Sequence, residues 1–107
     1  MTDYCLQVTV AAASREEAER ITGSAVEQRL AACGQVLGPM RSTYRWEGRL
    51  ERAEEWLCLF KTTRTRFPEL QRHVLRAHSY RAPEIVATAI TAGAIDYLDW
   101  IRAETAP

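Results

Sequence analysis

The sequence has no apolar run longer than a few residues, where about twenty are needed for a helix to cross a bilayer. It has no excess of either charge, because fourteen Lys and Arg balance fourteen Asp and Glu. That balance leaves no basic footprint for nucleic acid or an anionic membrane surface, so neither is expected as a partner. It also does little to hold copies apart, so self-association is permitted. Cysteine is scarce: Cys5, Cys33 and Cys58 are an odd number without CxxC spacing, which argues against a disulfide framework or zinc knuckle. Met1-Thr2-Asp3-Tyr4 lacks the basic stretch that opens a secretory signal, and a reduced, cytoplasmic protein is the expectation. GxGxxG, GxxxxGK[ST] and GxSxG are all missing, so no known phosphate cradle or nucleophile elbow is present. No catalytic constellation is evident, and a non-enzymatic role is expected.

What is present is an ordinary globular composition, 47% apolar and 26% charged over 107 residues. The length suits one domain spanning 1–107. Residues 4–12 alternate, with Tyr4, Leu6, Val8 and Val10 on one face, as in a strand resting on a core. Ser14-Arg15-Glu16-Glu17 fits a capping box, and Ala18, Ile21, Ala25, Val26 and Leu30 then recur at helical spacing. A first helix is predicted over roughly 15–32, with Gly34 as its C-cap. Residues 35–47 read as a second strand, in which Pro39 argues against a central place in a sheet. Glu47-Gly48-Arg49-Leu50 reads as a turn, and 54–62 as the return strand of a long hairpin. A second helix is predicted from Phe67-Pro68, a fourth strand over 84–91, and a short C-terminal helix presenting Ile95, Leu98 and Ile101. The order β-α-β-β-α-β-α predicts an α+β, ferredoxin-like sandwich with one added helix. A hairpin this long, carrying Trp46 and Trp56, needs a surface to pack against, and a homo-oligomer is expected.

Several side chains are candidates for chemistry. Cys58 and Cys5 read as small core residues. Cys33, expected at the C-terminal end of the first helix, is a poor nucleophile there, because the negative end of the dipole disfavours a thiolate. A bound metal would offset that cost. His73 and His78 are five apart and do not converge on one helix face, and His73 reads as solvent-facing. His78 stands at the helix end, close in sequence to Tyr80 and Glu84, where a capping role and a functional one both fit. Glu55 and Lys61 share a strand face but lie about 20 Å apart at about 3.3 Å per residue, so each faces a different neighbour. Acid–base work by Lys61, Tyr80 or Glu84 is a rival that no spacing demands.

These residues resemble those of the divalent-cation tolerance (CutA) family. Leu30-Ala31-Ala32-Cys33 is similar to the family's signature at the end of its first helix. Ser42, Tyr44, Trp46 and Gly48 match its S-x-Y-x-W-x-G strand, and Glu55 with Lys61-Thr62 matches E-x5-K-T. His78-Ser79-Tyr80-Arg81-Ala82-Pro83-Glu84-Ile85 resembles H-P-Y-x-x-P-E-[IL], with Ser79 where the family usually has proline. The stretch from Gly93 to Trp100 resembles the closing G-x3-Y-L-x-W. The resemblance implies a ferredoxin-like subunit in a homotrimer, with long hairpins packing across subunits. It also implies a role in the response to divalent metal, with copper(II) binding through Cys33, His78 and Glu84. The inter-subunit cleft would be lined by Tyr44, Trp46, Glu55, Lys61, Tyr80 and Glu84. An alternative the family suggests is a signalling module holding a small anionic ligand in that cleft, at Lys61. Ser79 removes a fixed φ and implies a less preorganised loop between His78 and Tyr80.

Overall fold

A computed structural model describes residues 3–107, so the reading of Met1-Thr2 lies outside the described residues. The elements run β1 (Cys5–Ala12), α1 (Arg15–Glu27), β2 (Cys33–Trp46), β3 (Arg49–Thr63), α2 (Phe67–Ala77), β4 (Ile85–Ala89) and α3 (Ile95–Glu104). The strands form one antiparallel sheet in the order β2-β3-β1-β4. This is the α+β, ferredoxin-like arrangement with an added helix. Among the described residues no helix is long and apolar enough to cross a membrane.

The alternation in β1 puts Val8 and Val10 inward, where they meet Cys58 and Phe60 of β3, Ile21 and Ala25 of α1, and Leu70 and Val74 of α2. A smaller cluster of Cys5, Ala32 and Ile101, with Leu98 against it, closes the space under α3. Ile95, expected on the same inward stripe, is instead 74% exposed at the first turn of α3.

Ser14 caps α1 as expected, its Oγ accepting the Glu17 N–H at 3.1 Å. The helix stops at Glu27, five residues short of the predicted end. Arg29 turns the chain with φ 62°, and its guanidinium donates to the Ala103 and Glu104 carbonyls at the end of α3. Gly34 is therefore not a helix cap but the second residue of β2. It is required by close approach: a Cβ there would run into Thr22 Cγ2 and lie 3.4 Å from the Phe60 ring. Gly34→Ala is expected to cost about 1–3 kcal/mol by overpacking, read from the chemical denaturation midpoint. An unchanged midpoint would mean that Thr22 swings away freely.

β2 is an edge strand, which is where a sheet tolerates Pro39, and the β2–β3 register shifts between Leu37 and Met40. The hairpin turn is tighter than the sequence suggested. Glu47 and Gly48 alone form it, at φ 50° and 77°, the pairing of left-handed residues that suits two-residue hairpin loops. Arg49 and Leu50, read as turn, are already paired with Trp46 and Arg45. β3 thus starts five residues before the predicted Glu54, and the fourth strand is shorter than expected at both ends. The molecule measures 45 × 25 × 21 Å, and the hairpin leaves Leu37, Tyr44, Trp46 and Leu50 exposed.

Candidate functional site

Where the hairpin meets the segment that follows α2, a cleft of about 670 Å³ opens. Tyr44 and Trp46 of β2, Glu55 of β3, and Tyr80, Arg81 and Glu84 contribute to its walls. Glu55 is only 7% exposed, and its Oε2 accepts the Tyr80 hydroxyl at 2.8 Å. Burial first, and then the bond to Glu55, push the Tyr80 phenol well above its usual range, so this hydroxyl remains a donor. Glu84 stands where the chain enters β4, and its Oε2 accepts the Thr9 hydroxyl at 3.3 Å.

Tyr80 is held in place by a network behind it. His78 Nε2 lies 2.6 Å from the Ala11 carbonyl, which can only accept, so Nε2 carries the proton. Nδ1 accepts the Tyr80 N–H at 2.9 Å, so it carries none. The imidazole is the neutral Nε2–H tautomer with both nitrogens committed, and its ring lies 4.7 Å from that of Tyr80. Glu17 completes the network. Its Oε2 accepts the Ser79 N–H at 2.7 Å, and its Oε1 accepts the Ser79 hydroxyl at 3.1 Å and the Ala13 N–H at 3.2 Å. Burial raises the Glu17 carboxyl, but the bonds from Ser79 and Ala13 outweigh it and hold the carboxyl below the usual range. The capping box is thus half made: Ser14 caps, while Glu17 turns to Ala13 and to a loop far along the chain.

A strand-helix sandwich with a long hairpin and this cleft invites comparison. Residues 6–104 match the family model of the CutA1 divalent ion tolerance protein. The chain belongs to the CutA family. It is 43% identical over 98 residues to the divalent-cation tolerance protein CutA of Thermus thermophilus, covering 92% of this chain and 95% of that one. The solved structure of the Cut A1 divalent cation tolerance protein from that organism superposes with a TM-score of 0.93 at 42% identity, over 94% of this chain and 98% of the other. CutA1 from Oryza sativa superposes with a TM-score of 0.94 at 33% identity, over 97% and 95% of the two chains. The CutA structure from Archaeoglobus fulgidus, described as periplasmic, gives a TM-score of 0.91 at 38% identity, over 94% and 98%. Family membership supports a role in divalent-metal tolerance, and the relatives' names are those of tolerance proteins rather than enzymes.

In this CutA chain, Ser79 stands in place of the family's usual proline. It supplies two hydrogen bonds to Glu17, one of them from an N–H that proline lacks. The sequence reading missed Glu17 because a glutamate three residues after a serine is fully explained by the local cap.

The residues expected to hold copper are spread apart. Cys33 begins β2 instead of ending α1, so the helix-dipole argument against its thiolate falls away. In the register it stands opposite Lys61, itself opposite Gln7. His78 is tied to Ala11, four positions further along β1, about 13 Å at about 3.3 Å per residue. Glu84 faces the cleft, and among the described residues no three His, Cys, Asp or Glu side chains converge. One subunit therefore does not close a copper site. Within one subunit Lys61 does not line the cleft, and its Nζ donates to Gln35 Oε1 at 3.3 Å. Cys5 and Cys58 are buried, as expected, and burial pushes both thiols up. Cys33 is half-exposed, 3.6 Å from the Tyr97 hydroxyl, a contact that together with burial pushes that phenol up to about 12. His73 is not the solvent-facing residue predicted: it is half-buried between α1 and α2, with Nε2 2.7 Å from Ser24 Oγ.

Proposed function

We propose that this chain serves divalent-cation tolerance as a cytoplasmic homotrimer that binds copper(II) at Cys33, with neighbouring subunits completing the donor set. The observation that carries the reading is the surface around that thiol. Cys33 is the one cysteine of three that solvent reaches, and it touches Tyr97, whose exposed ring stacks on the exposed Trp100 at 5.5 Å. Exposed aromatics of this kind mark contact surfaces, a thiolate suits copper over magnesium, and copper(II) heads the Irving–Williams order at such a site. Three free cysteines agree with a reducing compartment. His78 joins such a site only by giving up Ala11 or Tyr80, and Glu84 is placed for the cleft.

Native mass spectrometry with copper(II) titration tests this, beside Cys33→Ser and His78→Ala. The expected result is a trimer taking up a fixed number of coppers, lost in Cys33→Ser and kept in His78→Ala. Uptake unchanged by Cys33→Ser, or drifting without saturation, would make the metal adventitious, and a monomer would remove the assembly.

The cleft favours a second reading, a trimeric signalling module that holds a small ligand there. A Tyr80 phenol raised by burial and by Glu55 is suited to donating a hydrogen bond rather than to taking a proton, which supports binding over catalysis.

A further inference from the structure

The helix α3 is the addition to the ferredoxin-like plan, and its packing shows what it carries. In the register Cys5 stands opposite Thr63 and Cys33 opposite Lys61, so the two share one face of the sheet. That face is turned away from Cys58 and Phe60, which meet α1 and α2. α3 lies against it. Cys5 Sγ donates to the Leu98 carbonyl at 3.7 Å, and Cys5, Ala32 and Ile101 form one buried cluster with Leu98 packed on it. Ala32 immediately precedes Cys33, and Leu98 immediately follows Tyr97. The Arg29 guanidinium fixes the far end of the helix through the Ala103 and Glu104 carbonyls, at 3.3 and 3.0 Å. Tyr97 thus rides on a helix anchored twice, and its ring stacks on Trp100 at 5.5 Å with 30° between the planes. Its hydroxyl ends 3.6 Å from Cys33 Sγ, within hydrogen-bond reach of a sulfur. Every one of these contacts lies within one subunit, so the geometry does not depend on how copies assemble.

Cys33 begins an edge strand and is half-exposed, so no core packing selects among the staggered rotamers of its sulfur. The Tyr97 hydroxyl makes that selection. While the thiol keeps its proton either group can donate; once the sulfur has given it up to hold a metal, the hydroxyl alone can. A hydrogen bond to a cysteine sulfur also tunes the metal that the sulfur holds.

We propose that Tyr97 is a positioning residue for the Cys33 sulfur, its hydroxyl donating to Sγ and holding it in one rotamer for the metal. α3 is the arm that delivers it. The inference rests on the reading of Cys33 as a copper ligand, and it deepens that reading by giving the subunit's own Tyr97 a role beside the thiol.

The test compares wild type with Tyr97→Phe in the native assembly. Tyr97 is 43% exposed, so the change leaves the core alone and keeps the ring that stacks on Trp100. Without metal, cysteine-selective 13C labelling gives three signals, and Cys33→Ser identifies the one from Cys33. Its Hα–Hβ couplings should report one rotamer in wild type and averaging in Tyr97→Phe. The same couplings in both proteins would overturn the positioning. With copper(II), Tyr97→Phe should bind about 10–100-fold more weakly and shift the sulfur-to-copper absorption band, at an unchanged subunit count. A merely structural role would move neither the couplings nor the band. Equal affinity with an unmoved band would overturn the role toward the metal. A phenolate-to-copper band in wild type, absent from Tyr97→Phe, would make Tyr97 a ligand and overturn positioning. Copper uptake indifferent to both Cys33→Ser and Tyr97→Phe would end the copper reading and the role toward the metal with it. The couplings would then still decide whether Tyr97 fixes the thiol.

Discussion

Glu17→Gln is expected to destabilise the protein by about 2–3 kcal/mol, the cost of breaking charge-assisted bonds in a buried place. Glu17 is 6% exposed, and its partners are donors: the Ser79 N–H and hydroxyl, the Ala13 N–H and, at 3.8 Å, the Arg20 guanidinium. Glutamine has the same shape but turns one of the two oxygens into an NH2, which then faces a donor with nothing to accept. Urea denaturation at pH 7 measures the loss, and a loss below about 0.5 kcal/mol, the range of an ordinary surface change, would mean that the network contributes little. The same substitution has a signature in pH. The Glu17 carboxyl is held lower when folded than in the open chain, where it titrates near about 4.3. Its contribution is fully present above that unfolded value and is lost as pH falls through the folded one. Wild-type stability should therefore fall on acidification below about pH 5, more steeply than that of Glu17→Gln, and the two should converge in acid. Parallel curves would contradict the lowered carboxyl. Because Ser79 leads into Tyr80, the variant should also weaken whatever the cleft binds.

Phe60→Ala should have the largest effect of all, about 3–5 kcal/mol, as befits an aromatic side chain removed from a filled core. Phe60 is fully buried, opposite Val8 in the β1–β3 register and opposite Gly34 in the β2–β3 register. Gly34 has no side chain to fall into the space, and Val8 is itself fully packed, so the cavity has little means of collapsing. Chemical denaturation at a fixed protein concentration reads the loss, since assembly makes apparent stability depend on concentration. A loss below about 1 kcal/mol would show that α1 moves in to fill the gap.

The elements of the fold were legible because the signals for them are local. Alternation in β1 follows from a strand's two-residue period, and the Ser14 cap from unpaired N–H groups at a helix start. Boundaries were less legible where a tertiary contact set them. α1 ends early because Arg29 leaves the helix to reach the carbonyls of α3. Gly34 looked like a cap because nothing nearby in sequence reveals Thr22 and Phe60 pressing on it.

For the candidate site, the sequence by itself determined the inventory: which carboxylates, phenols, imidazoles and thiols the chain carries, with no net charge to attract a nucleic acid. Family resemblance implied an inter-subunit cleft lined by Tyr44, Trp46, Glu55, Lys61, Tyr80 and Glu84, and within one subunit all of these but Lys61 line one cleft. Only the tertiary structure decided that within one subunit Lys61 bonds to Gln35 instead, and that Cys33 starts β2 while His78 ends α2 against Ala11 of β1. It alone decided that both His78 nitrogens are in use and that Ser79 works as a donor where a proline would be mute. The reason is physical. A side chain's chemistry depends on its burial and its hydrogen-bond partners, and here those partners lie 25, 62 and 67 residues away, far beyond the reach of any local pattern.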